Sequence, residues 1–127
     1  MTLKEIFNAI CARLEKTGLR GVGMFTGDTL AEIKRGAVSG GCYAVNIASA
    51  EVSSANASYR IKPQSREVSV YYACSMQTAS TGAHLDDIET IFSTLHALRV
   101  GNDTLQPKEF KLADADGVVV YALTFTI

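Results

Sequence analysis

The chain has 127 residues, 47% of them apolar and 20% charged, with a formal net charge of -1. That length suits one domain spanning 1–127 with a hydrophobic core that needs no staples. The charge balance offers no global attraction for nucleic acid or anionic membrane, and no apolar run approaches the ~20 residues of a spanning helix. Cys11, Cys42 and Cys74 are odd in number, far apart and set among apolar residues, so reduced, buried thiols of an intracellular protein are expected.

The opening M-T-L-K-E-I-F-N-A-I reads as the start of an amphipathic helix rather than a signal peptide. Thr2 and Glu5 have capping-box spacing, which satisfies two orphan amide donors. Leu3, Ile6, Phe7, Ile10, Cys11 and Leu14 follow at helical spacing, and Gly18 supplies a stop. This is a helix to be laid on a sheet. Gly21 and Gly23 make a G-x-G, but the dinucleotide fingerprint needs a strand before its glycines and a helix opening at the third. A short edge strand with glycine turns is expected instead. Asp28-Thr29 is placed to cap a brief helix through Leu30–Ile33 ended by Gly36, and Gly36 to Gly41 is expected to be a mobile element.

Cys42 to Val52 reads as a strand, with Tyr43, Val45 and Ile47 alternating against Ala44, Asn46 and Ala48. Ser53 to Ser58 is small and polar, as at an exposed loop tip, and its Asn56-Ala57-Ser58 sequon is read as coincidence. Pro63 must lie at an edge or outside the ladder. Arg66 to Cys74 is the second long strand, with Val68, Val70, Tyr72 and Cys74 on one side and Ser69, Tyr71 and Ala73 on the other. The two strands form an antiparallel hairpin from which a mildly basic arm, about 50–66, projects. Ser75 to Gly82 is read as a polar connection. The second helix carries Leu85, Ile88, Ile91, Phe92 and Leu95 on one side and Asp86, Asp87 and Glu89 near its start, with Arg99 at its far end and Gly101 closing it. Asn102 to Lys108, with Pro107, is read as a loop.

The chain closes on V-V-V-Y-A-L-T-F-T-I, Val118 to Ile127. Tyr121, Leu123, Phe125 and Ile127 fall on one face, Ala122, Thr124 and Thr126 on the other. The run Val118-Val119-Val120 is apolar on both faces, so that end should be covered on both sides. Asp116-Gly117 is a tight-turn signal after Phe110-Lys111-Leu112. The expected fold is therefore α+β: an antiparallel sheet with two helices on one face, in the order α-β-β-β-α-β-β, as a two-layer sandwich.

No cluster announces a chemistry. His84 and His96, twelve residues apart on one helix, would stand about 18 Å apart, too far to share a metal, and are read as surface residues. Asp114 and Asp116 start like a calcium loop, but its twelfth position would be Phe125 where a glutamate is required. The cysteines lack a flanking His, Lys or Arg to favour a thiolate. No catalytic, cofactor-binding or metal residue is assigned, and no enzyme activity is expected. Tyr59, Arg60, Lys62 and Arg66 interleave cations with an aromatic and are the candidate interface, with contact to nucleic acid as a secondary feature.

The order and length of these elements resemble the tail-terminator and tail-completion proteins of long-tailed bacteriophages, including minor tail proteins of Mu-like phages. The resemblance spans essentially the whole chain. It is carried by L-K-E-I-F-N-A-I-C-A-R-L-E, R-E-V-S-V-Y-Y, L-D-D-I-E-T-I-F-S-T-L-H-A-L and A-D-A-D-G-V-V-V-Y-A-L-T-F-T-I, each a generic amphipathic pattern. It implies a structural virion protein, assembled in the bacterial cytoplasm as a hexameric homo-oligomeric ring. Such a ring caps the tail tube, stops its polymerisation and meets the head-completion proteins, with DNA passing through its lumen and no membrane involved. It implies no cofactor and leaves open whether the tail is contractile. Two other readings stand beside it: a small cytoplasmic ligand-binding domain or enzyme, and a tail-assembly or secretion-system chaperone. The arm from Ser53 to Arg66 is the expected contact with a neighbouring subunit or the tube.

Overall fold

A computed structural model describes residues 2–24, 33, 35, 41–115 and 117–127. Helix α1 (Leu3–Leu14) opens on the expected capping box: Thr2 Oγ1 accepts from the Glu5 amide and Glu5 accepts from the Thr2 amide. A single 3-10 turn, Glu15–Thr17, ends at Gly18. Strands β1 (Arg20–Met24), β2 (Cys42–Ser49), β5 (Glu67–Ser75), β9 (Val118–Thr126) and β8 (Gln106–Asp114) form one sheet in the spatial order β1-β2-β5-β9-β8. The pairing is antiparallel throughout except for β1, an edge strand that runs parallel to β2. Helices α2 (Met76–Thr81) and α3 (Ala83–Leu95) fall between β5 and the closing hairpin, and short strands β6 (Arg99–Val100) and β7 (Asp103–Thr104) make a small separate ladder. The fold is the expected α+β sandwich, mostly antiparallel.

The central pair β5–β9 runs in unbroken register from Glu67↔Thr126 to Ser75↔Val118. Its alternation decides the layers. Val68, Val70, Tyr72 and Cys74 with Val119, Leu123 and Phe125 face the helices and pack on Ile6, Ile10 and Leu14 of α1 and Ile88, Ile91 and Leu95 of α3. Both long helices thus share one face. On the opposite face, Cys42, Ala44, Ala73, Val118 and Val120 gather around Ile33. The start of β9 is therefore covered on both sides, as its triple valine requires. The Cys42 thiol donates to the Ile33 carbonyl at 3.2 Å. The brief helix expected at Leu30–Ile33 and the joint from Gly36 lie outside the described residues, apart from Ile33, Arg35 and Gly41.

Several local expectations are corrected. Ser75 to Gly82 is not a plain connection: Ser75 Oγ accepts from the Thr78 amide at 3.1 Å and caps α2, which Gly82 ends at φ +80°. Helix α3 stops at Leu95, earlier than expected, because Ala97 takes the left-handed conformation at φ +59°; Arg99 then lies in β6. The long strand expected from Cys42 to Val52 ends at Ser49. The Ser-rich stretch is itself a hairpin, β3 (Val52–Ala55) against β4 (Ser58–Ile61), turning on Asn56 at φ +58°. Pro107 is not in a loop but near the start of β8, where the register shifts and where an edge strand tolerates its missing N–H.

Candidate assembly surfaces

The sheet has a free edge at β8, and every residue from Gln106 to Ala113 is exposed. A strand with one unpaired side presents a row of N–H and C=O groups to which another strand can add. Beside it, α3 overhangs the sheet and leaves an open groove of about 910 Å³ between Leu85, Glu89, Phe92 and His96 on the helix and Pro107 and Phe110 on the strand. Leu85 and Phe110 are about half exposed, at 49% and 48%, and Leu112 is 55% exposed. The groove floor is tied to the core by ring contacts: Phe92 lies 5.1 Å from Phe125 and 6.1 Å from Phe110, and Phe110 lies 6.0 Å from Tyr121. Tilted aromatic pairs at these separations fix the floor's shape.

The expected inward face of α3 holds at Ile88, Ile91 and Leu95, with Phe92 partly packed on the core, and fails at Leu85. The inward stripe of α3 is His84, Ile88, Ile91 and Leu95, so Leu85 and Phe92 turn toward β8. His84 is not a surface residue. It is buried, with its ring 5.5 Å from that of Tyr121, its Nε2 3.4 Å from the Tyr121 hydroxyl and its Nδ1 without a partner among the described residues. His96 is exposed at the end of α3.

The second surface is the arm. Residues Glu51 to Arg60 are all exposed, and β3 and β4 pair only with each other in a two-stranded sheet. Its base is latched. The Lys62 amide donates to the Glu51 carbonyl at 2.8 Å, the Glu51 amide to Ser65 Oγ at 3.0 Å, and Lys62 Nζ sits 3.2 Å from Glu51 Oε2. Of the four candidate interface residues, Tyr59 (75% exposed), Arg60 and Lys62 stand on the arm. Arg66 does not. It is 6% exposed, and its guanidinium donates to Asp103 Oδ2 at 3.1 Å and to the Ile127 carbonyl at 3.4 Å. Its backbone pairs with Ile127 in both directions. Arg66 therefore belongs to the body, where it ties β5 to β7 and to the end of β9, and it is not a charge for tracking phosphates.

Burial favours the neutral form of the three thiols and of Tyr72. Burial pushes the Cys42 thiol up to about 11 and also raises Cys11 and Cys74. All three cysteines are free, and none is poised as a thiolate nucleophile. Tyr72, fully buried under α3, donates a short hydrogen bond to Asp87, and burial with that bond raises its phenol well above the usual range. Among the described residues, no three His, Cys, Asp or Glu gather to hold a metal, and no helix is long and apolar enough to cross a membrane. The chain matches no protein-family model and no curated protein sequence.

Proposed function

We propose that this protein is a structural assembly subunit of a phage or prophage tail, a terminator or completion protein. It caps the tail tube, ends its polymerisation and forms the joint to the head-completion proteins. The observation that carries the reading is the pairing of a nine-residue edge strand, β8, that no described element covers, with a separate projecting hairpin on the same small body. Pro107, Lys108, Lys111 and the two register shifts blunt part of this edge, and the regular stretch from Glu109 to Leu112 is the template left for a neighbouring strand. Tyr59, Arg60 and Lys62 are the arm residues that meet a neighbour. The test is to add labelled protein to growing tubes of the tail tube protein from the same genome. Label at one end of tubes that stop lengthening supports capping; label along the tubes, or none, opposes it.

One observation favours a second reading, a small ligand-binding domain. The groove under α3 has the volume of a small-molecule site. A ligand that fills it would raise the melting temperature by an amount that grows with the logarithm of its concentration over Kd.

A further inference from the structure

Among the described residues, two apolar surfaces of unlike shape lie uncovered. The first is the groove along β8. The second is one face of the arm, where register places Val52 opposite Ile61 and Ser54 opposite Tyr59; Ser53 and Arg60 share the other face. Val52 and Tyr59 are the most exposed large apolar side chains of the described residues. Side chains alternate along a strand, so a strand added at the β8 edge would send every second residue beneath α3 toward Leu85, Phe92 and Phe110. Strand β4 has that pattern, with Tyr59 and Ile61 on one side and Arg60 between them on the other.

Charge decides on the far side of β8 only: Arg60 is the single charge between Val52 and Ile61, and with Tyr59 and Ile61 in the groove it points away from Asp86 and Glu89 on the groove rim. On the far side of β8, where Arg60 would emerge, Glu109 and Lys111 are both exposed, and Glu109 has no cation partner among the described residues and so is the group Arg60 would meet. Among the described residues the arm is exposed along its length, from Glu51 to Arg60.

We propose that β4 of one copy adds to the β8 edge of the next, seating Tyr59 and Ile61 in the groove under α3. The inference rests on the reading of this protein as a self-assembling subunit and names the contact by which it assembles. Donor and acceptor are different surfaces, so the contact is head-to-tail. It closes into a ring if the rotation permits and otherwise extends as a filament.

The experiment measures oligomeric state by native mass spectrometry and light scattering over a concentration series. The wild type is compared with Tyr59→Asp, which spoils the arm, and with Leu85→Asp, which spoils the groove on the solvent side of α3. Phe110→Asp is a second groove variant, and circular dichroism selects the variants that fold. The expected result is oligomers for the wild type and monomers for each variant at matched concentration. An equimolar mixture of arm and groove variants then gives a one-to-one heterodimer, since one sound arm meets one sound groove. Wild-type oligomers unchanged by either variant would overturn the strand addition while leaving self-assembly standing. Two monomeric variants that do not combine would overturn it too. A wild type that stays monomeric at every concentration would overturn the copy-to-copy contact and pass the groove to a foreign partner; the tail role would then be judged separately, by tube capping.

Discussion

Removing Asp103 should cost far more than removing the arginine it faces. At 3.1 Å and an effective dielectric of about 20, the Arg66–Asp103 pair attracts by about 5 kcal/mol, which roughly offsets the several kcal/mol of dehydrating the guanidinium. The two partners are not equally trapped: the Arg66 side chain is 8% exposed and the Asp103 side chain 23%. Asp103→Ala strands a buried cation whose Nε already lacks a partner, and should destabilise by about 3 kcal/mol. Arg66→Met keeps the packing volume and lets Asp103 rehydrate, so about 1 kcal/mol is expected, mostly from the lost bond to the Ile127 carbonyl. The double variant Arg66→Met/Asp103→Ala should be more stable than Asp103→Ala alone. The chain has no tryptophan, so urea unfolding would be followed by circular dichroism at low protein concentration, with the slope unchanged across variants. In heating, the difference between the single variants should reach several degrees, at roughly 4 °C per kcal/mol. The reasoning is refuted if Arg66→Met costs as much as Asp103→Ala, or if the double variant is the least stable of the three.

Two further outcomes follow from the buried polar pair and the thiols. Gly41→Ala would place a methyl carbon 2.6 Å from the Tyr72 hydroxyl and 2.9 Å from Asp87 Oδ2. Tyr72 is fully buried and cannot swing away, so a loss of about 1–3 kcal/mol in urea unfolding is expected, and a neutral result would mean that α3 can shift. Stability should also fall at alkaline pH. Above the ordinary thiol value of 9.0 the unfolded chain releases protons that the folded chain keeps, so the unfolded state binds fewer and stability declines as pH rises. For Cys42 that loss runs from about 9 to about 11, and the raised Cys11, Cys74, Tyr43 and Tyr72 add to it. Cys42→Ala should flatten the decline in a pH series of unfolding midpoints; an unchanged slope would show that the Cys42 thiol is not protected.

The layers of this fold were legible because their signals are local. The period of two in β5 and β9 assigns each residue to a face, and the T-x-x-E spacing marks the start of α1. The errors arose where the deciding partner is distant or the pattern is ambiguous by one position. Arg66 reads as one more cation on a solvated arm, because Asp103 stands 37 residues away. In α3, Ile88, Ile91 and Leu95 are legible as inward residues, but Leu85 looks a better inward residue by hydropathy than its neighbour His84, which is the one buried. That misplacement concealed the groove. The turn at Asn56 was readable as left-handed, yet its flanking serines disguised two strands that pair without a core to signal them. Exposure of β8 was invisible because Phe110 and Leu112, the residues that line the free edge, are the kind a core strand carries.

Tail length after deletion of this gene is the most direct test of the tail-terminator role. The gene would be removed from the phage or prophage genome that carries it, and the particles released would be measured by electron microscopy. The proposed role predicts over-long tails of variable length without heads, restored to uniform length when the intact gene is supplied in trans. Normal, infectious particles with tails of wild-type length would contradict it.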